Sequence, residues 1–401
     1  TEPIPGEEAL ARTVVRTDPG YAEALAAVRQ ARVAENNLIT PVQEIMVMKE
    51  LPQRRPAFVL RRGAYDAPGD AVEPGVPDKV FPLPADAPAN RLGLARWFTD
   101  PRHPLTARVA VNRLWKHHFG RGLVATTWDF GAQGQLPSPP ELLDWLARRF
   151  VDSGWDRKAM HRLIVTSATY RQASTAPAAL AARDPENRLL ARGPRHRLDA
   201  EQIRDSALAA SGLLVTRLGG PAVKPYQPAG VWEDAGTGKS YQQDKGDSLY
   251  RRSLYTFWRR TAPPPSMLTF DATTREVCTA KREVTATPLQ ALVLLNDPQF
   301  LEAARVLAED LLARHPEDPE ARTRDAFRRL TGRLPDATEA RVLGRLQQEQ
   351  YDIFAAAPEA TREFLAVGER PPPPDLPAAR LAATTVLAST LMNHDEFVMK
   401  R

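Results

Sequence analysis

Along most of the chain the apolar positions recur at helical spacing, and the interruptions fall where Gly, Pro, Asp and Asn cluster. "DPGYAEALAAVRQARVAENN" (Asp18 to Asn37) is Ala-rich, lacks an internal proline and reads as a helix with Tyr21, Leu25 and Val28 on one face. "VQEIMVMKEL" and "PAFVLRRGAY" are short β-rich runs separated by "PQRRP", a pattern that predicts a small two-stranded ribbon. From Asp66 to Ala89 the sequence is rich in Pro, Gly and Asp, with too little apolar surface for a core of its own, so it reads as a wrap or a linker.

From Asn90 helical signals dominate. Asn90 is an expected N-cap for "RLGLARWFTD", and "HPLTARVAVNRLWKHHFGRG" has Pro104 near its first turn and Gly120 as its stop. "SPPELLDWLARRFVDSGW" predicts a capping box from Ser138 and Glu141, with Pro139 at the first helical position, Gly154 as the end, and Leu142, Leu143, Leu146 and Phe150 facing inward. Asp156 caps the next expected helix, and Asp199 with Gln202 opens "AEQIRDSALAASGLLV". After Thr287 five further helices are expected, in "TPLQALVLLN", "DPQFLEAARVLAEDLLARH", "PEARTRDAFRRLTG", "DATEARVLGRLQQEQYDIF" and "PAARLAATTVLASTLMN", with "RPPPPDLP" as a stiff spacer before the last. "LLNDPQF" and "LMNHDEF" echo each other, Asn296 matching Asn393 and Phe300 matching Phe397, which suggests one helix-corner solution used twice.

The stretch from Gly219 to Glu283 breaks this pattern. It is rich in Gly, Pro, Tyr and Trp; "RRSLYTFWRR" reads as one strand, and the prolines of "TAPPPSM" argue against helix. The fold class is therefore mainly α: a multi-helix scaffold over 90–401, a small β ribbon in the 1–89 segment, and an irregular loop-rich insertion at about 219–283.

Composition narrows the functional classes. The 401 residues are 43% hydrophobic and 26% charged with a net charge of +5, and acids alternate with bases without a Lys/Arg block, so no nucleic-acid partner is expected. One cysteine excludes an internal disulfide and a multi-cysteine metal site, and no C-x-x-C-H is present to attach haem. No run of about 18 apolar residues occurs, so no membrane span is expected. The first residue is Thr1, not Met, and the chain reads as a piece of a longer protein, so a signal peptide cannot be judged.

Several stretches together resemble a known family. They are "VMKELPQRRPAFVLRRGAYDAPGDAVEPG", "NRLGLARWFTDPRHPLTARVAVNRLWKHHFGRGLV", "DFGAQGQLPSPPELLDWLARRFVDSGW", "RLIVTSATYRQAS", "YRRSLYTFWRRTAPPPSMLTFDATTREVCTAKREVTATPLQALVLLNDPQF" and "LMNHDEF". The chain resembles the planctomycete cytochrome-associated domain of unknown function, the PSD family, from about Val47 onward. The resemblance implies a C-terminal module of a large secreted protein behind a cytochrome c domain, hence an extracytoplasmic (periplasmic or cell-surface) setting. It carries no established reaction, and it places any haem on another part of the parent, with no cofactor in this chain.

Candidate chemistry gathers in "FDATTREVCTAKRE" (Phe270 to Glu283). Cys278 has cations nearby but no neighbouring His, which favours a buried, inert thiol over a nucleophile. Asp271, Arg275, Glu276 and Arg282 read as a salt-bridge network tying the loop to the helices, as a ligand cleft, or as a catalytic acid–base pair. An open cleft lined by Asp271, Arg275, Glu276 and Trp232 is the arrangement expected of a ligand or enzyme site; a closed network is the one expected of a scaffold. At least one of Arg275 and Arg282 is expected to pair with an acid.

Other motifs are weaker. His117 and His118 end a helix, where a capping role is expected, and His394-Asp395-Glu396 reads as a solvated corner. "AGTGKS" (Ala235 to Ser240) lacks the first glycine of a P-loop and reads as a flexible loop. The aromatics Tyr226, Trp232, Tyr241, Tyr250, Tyr255, Phe257 and Trp258 form either the core of a loop-rich lobe or a sugar-stacking surface. The favoured function is a non-haem module binding a polymer, plausibly a glycan, or a partner beside the haem-bearing domain. The alternatives are a hydrolase or lyase acting on polysaccharide through the 271–282 segment, and a structural cell-surface module.

Overall fold

The computed structural model describes residues 6–236 and 238–400. Thr237 of the Gly-rich "AGTGKS" loop and the first five residues lie outside them. The chain divides into two compact units, Thr1–Gly75 and Val76–Arg401.

The first unit holds helices α1 (Glu7–Thr17) and α2 (Pro19–Ile39), and strands β1 (Ala57–Leu60) and β2 (Pro68–Val72). Asp18 caps α2 by accepting from the Gly20 N–H at 2.8 Å. No α2 residue is buried, so the face of Tyr21, Leu25 and Val28 covers no core. The ribbon exists with a different partner from the one expected. β1 pairs antiparallel with β2, Ala57 opposite Val72, and the "VQEIMVMKEL" run forms no strand. Tight closure favours the nearby Pro68–Val72 segment, and the Ala67 carbonyl just before it accepts from the Arg61 N–H at 2.9 Å.

In the second unit helices succeed one another: α3 (Arg91–Thr99), α4 (Thr106–Phe119), α5 (Pro140–Asp152), α6 (Arg157–Thr166) and α7 (Ala178–Arg183). Strand β3 (His196–Arg197) and α8 (Ala200–Ser211) follow, then the short α9 (Val231–Asp234) and α10 (Pro265–Thr269). The chain closes with α11 (Pro288–Asn296), α12 (Pro298–Arg314), α13 (Pro319–Thr331), α14 (Ala337–Ala356), α15 (Pro358–Leu365), α16 (Ala378–Met392), α17 (Asp395–Val398) and β4 (Met399–Lys400). The segment after Val76 lies against α3, the Phe81 carbonyl accepting from Trp97 Nε1 at 2.7 Å.

Two main cores form. One joins α4, α5 and α6 through Val111, Trp115, Leu146, Phe150 and Ile164, with the Trp115 and Phe119 rings stacked 4.1 Å apart. The other surrounds α12, which packs on α8 and α16. Small residues on both faces, Ala303, Ala304 and Ala308 on α12 and Ala382, Ala383 and Ala388 on α16, let these two backbones approach.

The caps at Asn90, Asp156 and Asp297 form, with Gly93, Ala159 and Gln299 as the donors. The Ser138 box does not. The peptide before Pro139 is cis, Pro139 takes the N-cap position, Pro140 the first turn, and no side chain caps α5. Consecutive prolines push the start one residue on, and the Ser138 N–H donates instead to Leu123 O at 2.9 Å. The inward set holds at Leu143, Leu146 and Phe150, while Leu142 is only partly buried. The echoed corners match: α11 ends at Asn296 and Asn393 caps the end of α16, and Phe300 and Phe397 both enter the α12 core.

The 219–283 region is irregular, as its composition implies. "RRSLYTFWRR" is not one strand; it makes isolated bridges at Arg251 and Thr256 around a turn of 3-10 helix at Ser253–Tyr255. "TAPPPSM" ends inside a helix, because Pro265 stands at its first position, where no N–H is required. Buried polar groups substitute for a ladder. Arg204 donates to the carbonyls of Leu249 at 2.8 Å and Arg251 at 2.7 Å. Glu302, 1% exposed, accepts from Tyr226 Oη and Tyr250 Oη at 2.9 Å each and from the Arg370 N–H at 2.8 Å. Tyr226 Oη in turn accepts from the Glu369 N–H at 2.6 Å.

Candidate functional site

A cleft of about 940 Å³ opens between the two cores. The C-terminal half of α4 supplies Arg113, Lys116 and His117; β3 supplies His196 and Arg197; the start of α8 supplies Asp199 and Gln202. The far wall is the loop after α10, with Thr279, Arg282 and Thr285, and the C-terminal corner, with Asn393 and Asp395.

Local sequence fixes this meeting point. Gly120 ends α4 at φ +74, and a Cβ there would lie 2.7 Å from His196 Cβ, so only glycine lets β3 cross so close. The buried Asn112 side chain then clamps the exit, exchanging two 2.9 Å hydrogen bonds with the Val124 backbone. β3 pairs antiparallel with β4, His196 opposite Lys400, which stitches the end of the chain beside the cleft.

Two cleft cations are neutralised. Arg197 binds Asp271, whose carboxylate also accepts from the Thr285 N–H and Oγ1, each at 2.9 Å. Burial works against the Asp271 charge, but Thr285 and Arg197 hold its carboxyl below the usual range. Arg282 makes a two-pronged bond to Glu201, 2.6 and 2.9 Å, and lies 3.9 Å from Asp199.

Lys116 and Arg113 differ, having no ion-pair partner among the described residues. Burial, then the neighbouring charges of Lys281 and Arg113, push the Lys116 amine below the usual lysine range, against the pull of Asp199. His196 is pushed down by burial, and its Nδ1 is buried without a hydrogen-bond partner. His118 does not turn back on the α4 carbonyls but meets α6, its Nε2 2.8 Å from His161 Nδ1.

The five residues singled out from sequence are not brought together. Arg282 lines the cleft, whereas Asp271 does not and is bound by Arg197, which does. Arg275 is exposed and stacks 4.5 Å from the Trp258 ring centre. Glu276 is exposed on the loop. Trp232 is buried at 6% exposure beside Tyr241 and Phe257, with Arg259 lying 4.5 Å from its ring centre. The expected pairing of Arg282 with an acid is present, the acid being Glu201 on α8.

Cys278 corrects an expectation, for it is exposed and not buried. Its neighbours Val277 and Thr279 are exposed with it, so the whole loop tip stands in solvent. The cleft residues Arg113, Lys116, His196 and Arg197 were not singled out as a site. The signal available was the arginine density of "RDPENRLLARGPRHRLD", between α7 and α8.

Among the described residues no helix is long and apolar enough to cross a membrane, and no group of three or more His, Cys, Asp or Glu is placed to hold a metal ion. A family model described as "PSD1: Protein of unknown function (DUF1553)" matches residues 90–347. No curated protein and no solved structure matches the chain.

Proposed function

The chain belongs to the PSD1 family of unknown function (DUF1553), and from that premise we propose that its second unit is a binding module that takes an acidic glycan in the cleft beside Lys116. The observation that carries this reading is a cleft wall on which Lys116, partly buried, and Arg113 stand without an ion-pair partner among the described residues, with Asp199 on the same lining. An anion bound there would offset the burial and the like-charge repulsion that act on the Lys116 amine. The remaining lining suits hydroxyl groups: Gln202, Thr279 and Asn393 donate and accept, while Asp199 and Asp395 accept. Those two acids disfavour a densely charged polyphosphate more than a glycan whose anionic groups are spaced by hydroxyls, which donate to them.

The resemblance noted in the sequence supports placing this module in a larger extracytoplasmic protein beside a cytochrome c domain, with haem on that neighbour. Nothing in the 271–282 segment favours a hydrolase or lyase, because Arg197 and Thr285 engage the Asp271 carboxylate. Calorimetric titration with carboxylated, sulfated and neutral polysaccharides tests the binding reading. Acidic polymers are expected to bind, more weakly in high salt and in Lys116→Gln. Equal binding of neutral polymers, or none by acidic ones, refutes it.

A further inference from the structure

A second cleft, of about 750 Å³, lies on the other side of His196. Gly120 and His196 line both clefts, so the two lie side by side on either side of that one crossing point. The second is walled by the end of α4 and by the 184–196 loop, and four arginines line it: Arg121, Arg188, Arg192 and Arg195. Its one lining acid, Glu186, is paired with Arg121.

The other three arginines have no ion-pair partner among the described residues. The buried Asp184 accepts from the Arg188 and Leu189 N–H groups at 2.9 and 2.8 Å, which organises the loop backbone, and its charge acts on Arg192 and Arg188 from beyond ion-pair distance. Asn187 fixes the next turn, its Nδ2 donating to Arg192 O at 2.8 Å. Arg192 Nη2 donates to Pro185 O at 2.7 Å, while Nη1 is buried with no hydrogen-bond partner. The cleft lining therefore carries three guanidinium charges that, among the described residues, no carboxylate cancels at ion-pair distance, the setting in which arginine binds an anion.

We infer that the two clefts are consecutive subsites of one groove, and that the ligand is an acidic glycan long enough to place one anionic group by Lys116 and another by Arg192 and Arg195. This rests on the proposed function and extends it from one acidic sugar to a polymer segment. Each subsite alone offers the modest attraction of a partly solvated charge pair, and joining them through one chain makes the second contact intramolecular.

The test is calorimetry at low salt on the full chain with oligogalacturonates from dimer to octamer, heparin-derived oligosaccharides, neutral malto-oligosaccharides and an oligonucleotide of equal charge. Affinity for the acidic oligosaccharides is expected to rise at least about tenfold from dimer to octamer. Arg195→Gln and Lys116→Gln are each expected to weaken octamer binding about fivefold, and the double variant to abolish the length dependence. Arg195 is exposed, so its variant reports on binding even where Arg192→Gln fails to fold. Octamer binding that Lys116→Gln weakens, with no gain with length and no effect of Arg195→Gln, overturns the groove and leaves the first cleft standing. Absence of binding by every acidic oligosaccharide overturns both. Tighter binding of the oligonucleotide overturns the glycan assignment. Whichever of the carboxylated and sulfated series binds more tightly identifies the anionic group.

Discussion

Arg282 and Glu201 stand 81 positions apart in sequence, yet both η nitrogens of the one meet both carboxylate oxygens of the other, at 2.6 and 2.9 Å. The pair ties the largely exposed 274–287 loop to the first turn of α8. Arg282→Ala is expected to cost about 1–2 kcal/mol, and Glu201→Gln about the same. A double-mutant cycle by urea denaturation measures the coupling. Additive effects would mean that the pair contributes nothing.

Cys278 is expected to react with a thiol reagent in the native state, because it is exposed. One thiol per chain should label at neutral pH at a rate close to that in denaturant. Labelling that requires denaturant refutes the placement of the loop tip.

Ser138 and Asp156 make a matched contrast. Ser138 offers α5 no cap, whereas Asp156 Oδ1 accepts from the Ala159 N–H at 3.0 Å. Ser138→Ala is expected to leave the melting temperature within error. Asp156→Ala should lower stability by about 1 kcal/mol. Equal losses in the two variants would contradict the caps.

Acid lability should centre on Arg333. Its guanidinium binds Glu339 at 2.6 and 2.7 Å and Glu396 at 2.8 Å. Those bonds, with the Asp336 N–H, bring the Glu339 carboxyl down from 4.5 to about 2. A depressed folded value means that this stabilisation is full above about 4.5 and is lost as pH falls toward 2. Melting curves from pH 6 to pH 2 should show a shallower acid decline in Glu339→Gln than in the parent. An unchanged slope would falsify the assignment.

Helix existence was legible from the chain because capping and periodicity are local: Asn90, Asp156, Asp297 and Gly120 all act within one turn of themselves. The α5 start was missed where two consecutive prolines compete for the first turn, a choice settled by the Leu123 carbonyl 15 positions back. The ribbon was misassigned because strand pairing depends on which neighbour closes first, and alternation alone does not tell partners apart. The cleft was least legible. Lys116, His196 and Arg282 come from three distant segments, and their approach depends on Gly120 lying under His196, which no local pattern encodes. Arg282 was found because it is charged between apolar runs; its partner on α8 was not.

The buried Glu302 has a consequence for how the molecule opens. The irregular region has little ladder of its own, so its backbone would ordinarily be expected to breathe and exchange its amide protons early. Its tyrosines, however, are anchored to a carboxylate on the innermost helix, and Glu369 joins the same anchor from near the C-terminal end. Releasing the lobe therefore takes two hydrogen bonds from a buried carboxylate and leaves it only Arg305, at 3.9 Å, and the Arg370 N–H. Amide exchange around Tyr226 and Tyr250 should accordingly track global unfolding, and proteases should nick the 274–284 loop first. Glu302→Gln, which keeps the shape and removes the charge, is expected to uncouple the two, letting the lobe exchange while the helices stay protected.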